Sequence, residues 1–301
     1  MRLISAGSLD PGELLRVFNL GFSDYLLPMV MDEADLADHI ACNDIDLACS
    51  RVAVDEEPVA FALAARRGAD AWIGGMGVAP PYRRSGLGRR TLMAAIGAVA
   101  AEGVDTVWLE VLEGNVAAIA LYERLGFERV RRFEVWSLPP DSERDTVARG
   151  LDVDAAHAWI ASHRHDREPW QRADASIVRM RERGVPLVGM AVRRSGQIVG
   201  AAICRPDAGT VRVLQIAAVD EAAARDLILA AAGELTLRLA NIPSDDPLSG
   251  VVRRLGAELT AAQHEMRLRV GGGRLGRTGQ ALPGAGSAWP AASGMAAMNA
   301  S

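Results

Sequence analysis

Met76-Gly77-Val78-Ala79-Pro80-Pro81-Tyr82-Arg83-Arg84-Ser85-Gly86-Leu87-Gly88-Arg89 is the stretch on which the reading of this 301-residue chain turns. Before it, Ala71 to Val78 reads as a strand. After it, the periodic apolar pattern from about Gly88 to Glu102 reads as a helix. Glycines at 86 and 88 leave backbone N–H groups unshielded at the helix start, where unpaired donors and the helix dipole attract phosphate. Arg83, Arg84 and Arg89 add positive charge to the same loop. The loop is neither G-x-x-x-x-G-K-S/T nor G-x-G-x-x-G, which excludes the common nucleoside-triphosphate and dinucleotide motifs. On the residues alone, a Gly-rich turn with a solvated basic patch remains the alternative.

Around this stretch, helix-like and strand-like patterns alternate. Pro11 to Leu20 and Met31 to Ala41 read as helices, with an aromatic turn, Gly21 to Pro28, between them. Leu47 to Val54 and Val59 to Ala65 read as strands about the acidic turn Asp55-Glu56-Glu57. Thr106 to Val111 is a buried strand, Val116 to Leu125 a helix ended by Gly126, and Arg129 to Leu138 a last strand. Glycines 74, 75 and 77 lie inside the strand before the loop, a sign of a bulge or of close approach by another backbone.

A second signal follows, from Trp108-Leu109-Glu110-Val111 through Asn115 to Leu121-Tyr122-Glu123-Arg124-Leu125-Gly126-Phe127. With the first it resembles the GNAT superfamily of acetyl-CoA-dependent N-acetyltransferases. Arg83-Arg84-Ser85-Gly86-Leu87-Gly88 matches that family's pyrophosphate loop, Arg/Gln-x-x-Gly-x-Gly/Ala. The second block is similar to its pattern L-E-V-x3-N-x2-A-I/L-x-L-Y-x2-L-G-F, most closely as it stands in the ribosomal-protein alanine N-acetyltransferases. The resemblance implies that residues 84–89 bind a pyrophosphate largely through main-chain amides. It also implies that Met76, Gly77 and Val78 hold the pantetheine arm like an added strand.

Acetyl transfer needs a neutral amine, a donor for the oxygen that gathers charge, and a proton for the departing thiolate. The resemblance makes Tyr122 the general acid, Glu110 the base (directly or through water) and Asn115 a hydrogen-bond partner of the cofactor. Main-chain N–H near Val78 would serve the thioester oxygen. Each residue also has a plain structural reading: Tyr122 packing its helix on the sheet, Glu110 facing solvent, Asn115 capping a helix. Asp24 and Tyr25, in the turn after the first helix, are the candidates for the acceptor, Asp24 by holding its ammonium. Many relatives carry a Glu on the strand before the phosphate loop; Trp72 to Val78 has none.

Pro139 to Arg149 reads as a linker, and residues 151–270 as a divergent repeat of the first 138. Arg254-Leu255-Gly256 there answers to Arg124-Leu125-Gly126. The repeat lacks the two glycines at Val219 to Arg225, and Ser244-Asp245-Asp246-Pro247 replaces the asparagine region with no Tyr behind it. The expectation is an α/β (α+β) chain of two GNAT-like domains, each a mixed, mostly antiparallel sheet flanked by helices, the second without cofactor binding. Mycothiol synthase resembles this layout, but it works through its C-terminal half, whereas the intact motifs here are N-terminal. Residues 271–301 are Gly- and Ala-rich and are expected to be disordered.

Every fixed cation is an arginine: the chain has 33 basic residues and no lysine. Arginine suits bidentate phosphate contacts, and a GC-rich coding bias explains the same count. A net charge of −5 argues against nucleic acid as a partner. No apolar run reaches the roughly 18–20 residues of a membrane span, and no signal peptide is apparent, so a cytoplasmic protein is expected. Three cysteines in no zinc spacing agree with a reducing compartment, and His157, His163, His165 and Asp166 fit no standard metal site. The partners expected are acetyl-CoA and an amine acceptor, small molecule or protein, with a homodimer left open. The rival class is an acetyl-CoA-binding sensor without turnover.

Overall fold

Asp10 and Asp32 each close a capping box, with Glu13 and Asp35 respectively, and so start the first two helices, α1 (Pro11–Gly21) and α2 (Glu33–Cys42). The computed structural model describes residues 1–27, 29–140 and 147–271. It is a mixed α/β structure, and residues 1–271 form one unit. The first half runs β1 (Arg2–Ser5), α1, α2, β2 (Arg51–Val54), β3 (Pro58–Arg67), β4 (Asp70–Val78), α3 (Leu87–Ala101), β5 (Thr106–Leu112), α4 (Val116–Arg124), β6 (Glu128–Leu138). The second runs β7 (Arg149–Leu151), α5 (Val153–His163), α6 (Asp174–Glu182), β8 (Val188–Arg194), β9 (Gln197–Asp207), β10 (Thr210–Ala218), α7 (Glu221–Ala232), β11 (Thr236–Pro243), α8 (Pro247–Arg254), β12 (Glu258–Arg269).

The second half repeats the first element for element. Three elements had no sequence signal. β1 and β7 are too short to show a period, and α6 follows a Trp-containing turn that hides its start. β7 begins at Arg149, the last residue of the stretch read as linker. The strand expected from Leu47 begins only at Arg51, because the Asp46 carboxylate accepts from the N–H of Ala48 and Cys49 and holds a turn there. Pro28, residues 141–146 of the stretch read as linker, and residues 272–301 of the tail expected to be disordered lie outside the described residues.

The strand order is β1-β2-β3-β4-β5-β12-β6-β11-β10-β9-β8-β7. The central strands are exchanged. β12, the last strand of the second half, pairs antiparallel with β5 of the first, from Gln263 opposite Leu112 to Arg269 opposite Thr106. β6, the last strand of the first half, pairs with β11 of the second. The two exchanged strands pair with each other. Neither half therefore closes its own sheet, a feature that the division at residues 138 and 151 does not anticipate. Phe18, Phe61 and Trp72 fill the core on one face of the first half, and Leu92, Ile96, Leu109 and Val111 fill the other. No helix among the described residues is long and apolar enough to cross a membrane.

Candidate active site

β4 and β5 pair in parallel over only three positions, Asp70–Trp72 against Thr106–Trp108, and then diverge. From Ile73 to Val78 the β4 edge facing β5 carries no strand partner; side chains occupy two of the carbonyls in this stretch, Gly74 accepting from His39 Nε2 and Val78 from Arg83 Nε, each at 2.9 Å. Gly74 is the bulge at which the strand turns away: Leu63 pairs with Gly75 and Ala64 with Ile73. The divergence opens a cavity of about 1050 Å³.

One end of the cavity is the N-terminus of α3. Arg84 (φ 60°) and Gly86 (φ 80°) adopt left-handed conformations that turn the loop into the helix. Arg84, Gly86, Gly88 and Arg89 line the cavity, as do Met76, Gly77 and Val78. A Cβ on Gly88 would lie 3.0 Å from the Met76 methyl and 3.2 Å from Val78, so a side chain there would crowd the strand. Ser85 and Leu87 do not line the cavity. The Ser85 hydroxyl donates to the Tyr82 carbonyl, and Leu87 is buried against Ala53 and Val59. The close approach expected at the strand glycines is real, but α1 makes it. A Cβ on Gly77 would lie 2.9 Å from the Gly21 Cα and 2.6 Å from the Phe61 ring.

Asp24 and Arg83 were expected to serve the acceptor and the pyrophosphate separately. Instead they bind each other. Arg83 donates from Nη1 and Nη2 to the two Asp24 oxygens, both at 2.6 Å, and from Nε to the Val78 carbonyl at 2.9 Å. The guanidinium holds the Asp24 carboxyl below its ordinary pKa. Asp24 is thus not a free carboxylate awaiting an ammonium; it ties the turn after α1 to the phosphate loop. Tyr25 lines the cavity beside Asn115, and burial raises its phenol.

Strand alternation separates Glu110 from Tyr122. Leu109 and Val111 face the core that holds Tyr122, and Glu110 points to the other face, toward Trp72. It is half-buried, and its Oε2 accepts from the Trp72 indole N–H at 2.6 Å. Burial pushes its carboxyl up to about 7; the Trp72 hydrogen bond opposes this, the Glu265 charge adds to it, and Arg167 and Arg131 oppose it again. Glu265, 1% exposed, is itself held by Arg131 (2.9 Å) and Arg167 (2.7 Å). Among the described residues the Tyr122 hydroxyl meets only a weak acceptor, the Met76 sulfur at 3.7 Å, and burial raises its pKa. Asn115 caps α4, its Oδ1 accepting from the Ala118 N–H at 3.2 Å, and also lines the cavity.

Sequence reasoning missed the far wall. Gln171, Ala240, Asn241 and Gln263 of the second half line the same cavity. No local motif marks them; they reach the site only because β6 and β12 change places. At the matching point of the second half, the helix start carries acids instead of a glycine loop. Asp220 caps α7 through the Ala223 N–H (2.8 Å) and is paired with Arg194. His157 contacts Asp174, and Asp166 contacts Arg131.

Known proteins are similar to this chain in sequence over its first half and in fold over both. The acetyltransferase (GNAT) family model matches residues 17–127. Ribosomal protein bS18-alanine N-acetyltransferase from Salmonella typhimurium is 42% identical over 103 residues, 34% of this chain and 70% of that protein. The Escherichia coli K12 protein of that name is 38% identical over 84 residues, 28% of this chain; the match spans 57% of the relative's length. Across both halves, a tandem GNAT protein from the clavulanic acid biosynthesis pathway superposes with a TM-score of 0.65 at 13% identity, covering 90% of this chain and 100% of that one. That likeness concerns the fold alone. With its phosphate loop and its Glu110 and Tyr122 set about one divergent strand pair, the chain belongs to the GNAT acetyltransferase family.

Proposed function

We propose that the protein transfers an acetyl group from acetyl-CoA to a primary amine, by direct attack while both substrates are bound. The observation that carries this reading is the placing of Glu110 and Tyr122 on opposite faces of the diverging strands. A carboxyl with a pKa near 7 takes a proton from an incoming ammonium at neutral pH, and a phenol that stays protonated gives one to a departing thiolate. The open β4 edge from Met76 to Val78 suits the pantetheine arm, with the Val78 N–H toward the oxygen that gathers charge. Arg84, Gly86, Gly88, Arg89 and the α3 N-terminus suit the pyrophosphate.

The acceptor we favour is a small amine, because the second half walls the cavity at Gln171, Asn241 and Gln263. The bS18-alanine acetyltransferases to which the first half is similar carry a protein substrate in their names, so a protein N-terminus is the second reading. Thiol release from acetyl-CoA, followed with a panel of small amines and N-terminal peptides, separates the two. Acetyl-CoA binding without acceptor-dependent release from any of them would leave a binding module and refute the enzyme.

A further inference from the structure

The geometry points to a neutral amide subsite, Gln171–Asn241–Gln263, that selects amines bearing an uncharged amide a few bonds from the reacting nitrogen. This rests on the acetyl-transfer reading and extends it to the acceptor.

Asn241 is 2% exposed and adopts φ 60°, a conformation a non-glycine residue holds at some cost. It lies where the β11–β6 register breaks, between Leu239 opposite Trp136 and Ile242 opposite Glu134. The irregularity coincides with the point at which its amide joins the cavity wall. Gln263 Nε2 donates to Asn241 Oδ1, and Asn241 Nδ2 donates to Gln171 Oε1 at 3.3 Å. The relay has a direction. Among the described residues its two ends, the Gln263 carbonyl oxygen and the Gln171 amide nitrogen, have no hydrogen-bond partner, and both residues line the cavity. Each end offers a neutral group to the cavity, an acceptor at Gln263 for an amide N–H and a donor at Gln171 for a carbonyl oxygen.

Position relative to the base sets the size of the substrate. Glu265 stands opposite Glu110 and Gln263 opposite Leu112. Gln263 is therefore two residues further along the same face, roughly 7 Å from Glu110 at strand spacing. A substrate nitrogen at Glu110 and an amide at Gln263 fit one short molecule. Charge argues against a free carboxylate there, because the nearby cations are already engaged: Arg131 and Arg167 by Glu265, Arg132 by Glu113 and Glu134. A desolvated carboxylate would meet only neutral amides.

The test compares alaninamide, alanine and propylamine as acceptors in the full chain, reading thiol release, with acetyl-CoA binding measured separately by calorimetry. Alaninamide should lead both others in kcat/KM by roughly tenfold, the scale of one or two neutral hydrogen bonds. Gln263→Met should collapse that lead through the KM for alaninamide while leaving the acetyl-CoA Kd in place. Asn241→Gly, which suits the positive φ and removes the amide together with its Cβ, should do the same and covers the case in which the Met variant fails to fold. Equal use of the three amines, or a lead that survives both variants, overturns the subsite while leaving acetyl transfer intact. Failure of acetyl-CoA to bind overturns both.

Discussion

Glu110 and Glu265 face each other across the β5–β12 pair, two carboxylates on adjacent strands contributed by opposite halves of the chain. Like charges directly opposed in a sheet destabilise one another. Here one of them is neutralised by two arginines, and the other keeps a proton up to a pH of about 7. Burial is the main cause of that retained proton, and the Glu265 charge adds to it.

Activity should rise with pH through about 7 as Glu110 loses its proton. Glu265→Gln removes the negative charge that raises Glu110 and leaves Arg131 and Arg167 to lower it. The rising limb of kcat/KM against pH should then move to lower pH. A limb that stays in place, or moves up, removes Glu265 from this role.

The same carboxyl links activity to stability. In the unfolded chain Glu110 titrates near 4.5, and in the folded protein near 7. Below pH 4.5 both states are protonated and the group costs nothing. As pH rises to 7 the unfolded state releases its proton first, and stability falls by an amount that levels off at roughly 3 kcal/mol or less. Glu110→Gln should therefore abolish turnover, yet melt higher than the parent at pH 8 and about equally at pH 4.5. Thermal melts at the two values decide this.

Tyr122→Phe removes a hydroxyl whose only partner among the described residues is the Met76 sulfur. Little packing is lost, and the melting temperature should change by no more than a few degrees. The proposed acid is lost, and kcat should fall about a hundredfold or more with the acetyl-CoA Kd unchanged. Full activity in this variant would move the proton donor elsewhere.

Asp24 and Arg83 act as one unit in the geometry, so Asp24→Asn and Arg83→Leu should each weaken acetyl-CoA binding by loosening the same loop. The double variant should be little worse than either single one. Additive losses would mean that Asp24 does bind the acceptor on its own account. A KM series for both substrates distinguishes the outcomes.

Residues 1–140 expressed alone lack β12, which leaves the β5 edge and Glu110 uncovered. This fragment should aggregate or remain inactive, and co-expression of residues 147–271 should restore a soluble, active pair. An active, monomeric 1–140 fragment would show that the exchanged strand is dispensable.

The first half was legible because its chemistry is local. The phosphate loop, the Leu-Glu-Val strand and the Asn-to-Tyr helix each declare themselves within a few residues, and they meet in one cavity. The acceptor wall was not legible. Gln263 and Asn241 are unremarkable polar residues in strands, and they matter only through a pairing between strands more than a hundred residues apart. The partner of Asp24 was not legible for a related reason: a lone acid in a turn gives no hint that Arg83, 59 residues on, pairs with it.

The exchange of β6 and β12 also bears on how such a chain can change over generations. A second half without the glycine loop looks free to be lost, but β12 pairs directly with β5 beside Glu110. Deletion would strip a neighbour from the strand that bears the proposed base, while drift in the strand itself would alter that residue's surroundings. The half that carries no intact motif is held in place by mechanical dependence, and on the proposed reading it offers a route for altering acceptor choice without touching the residues proposed to hold the acetyl donor.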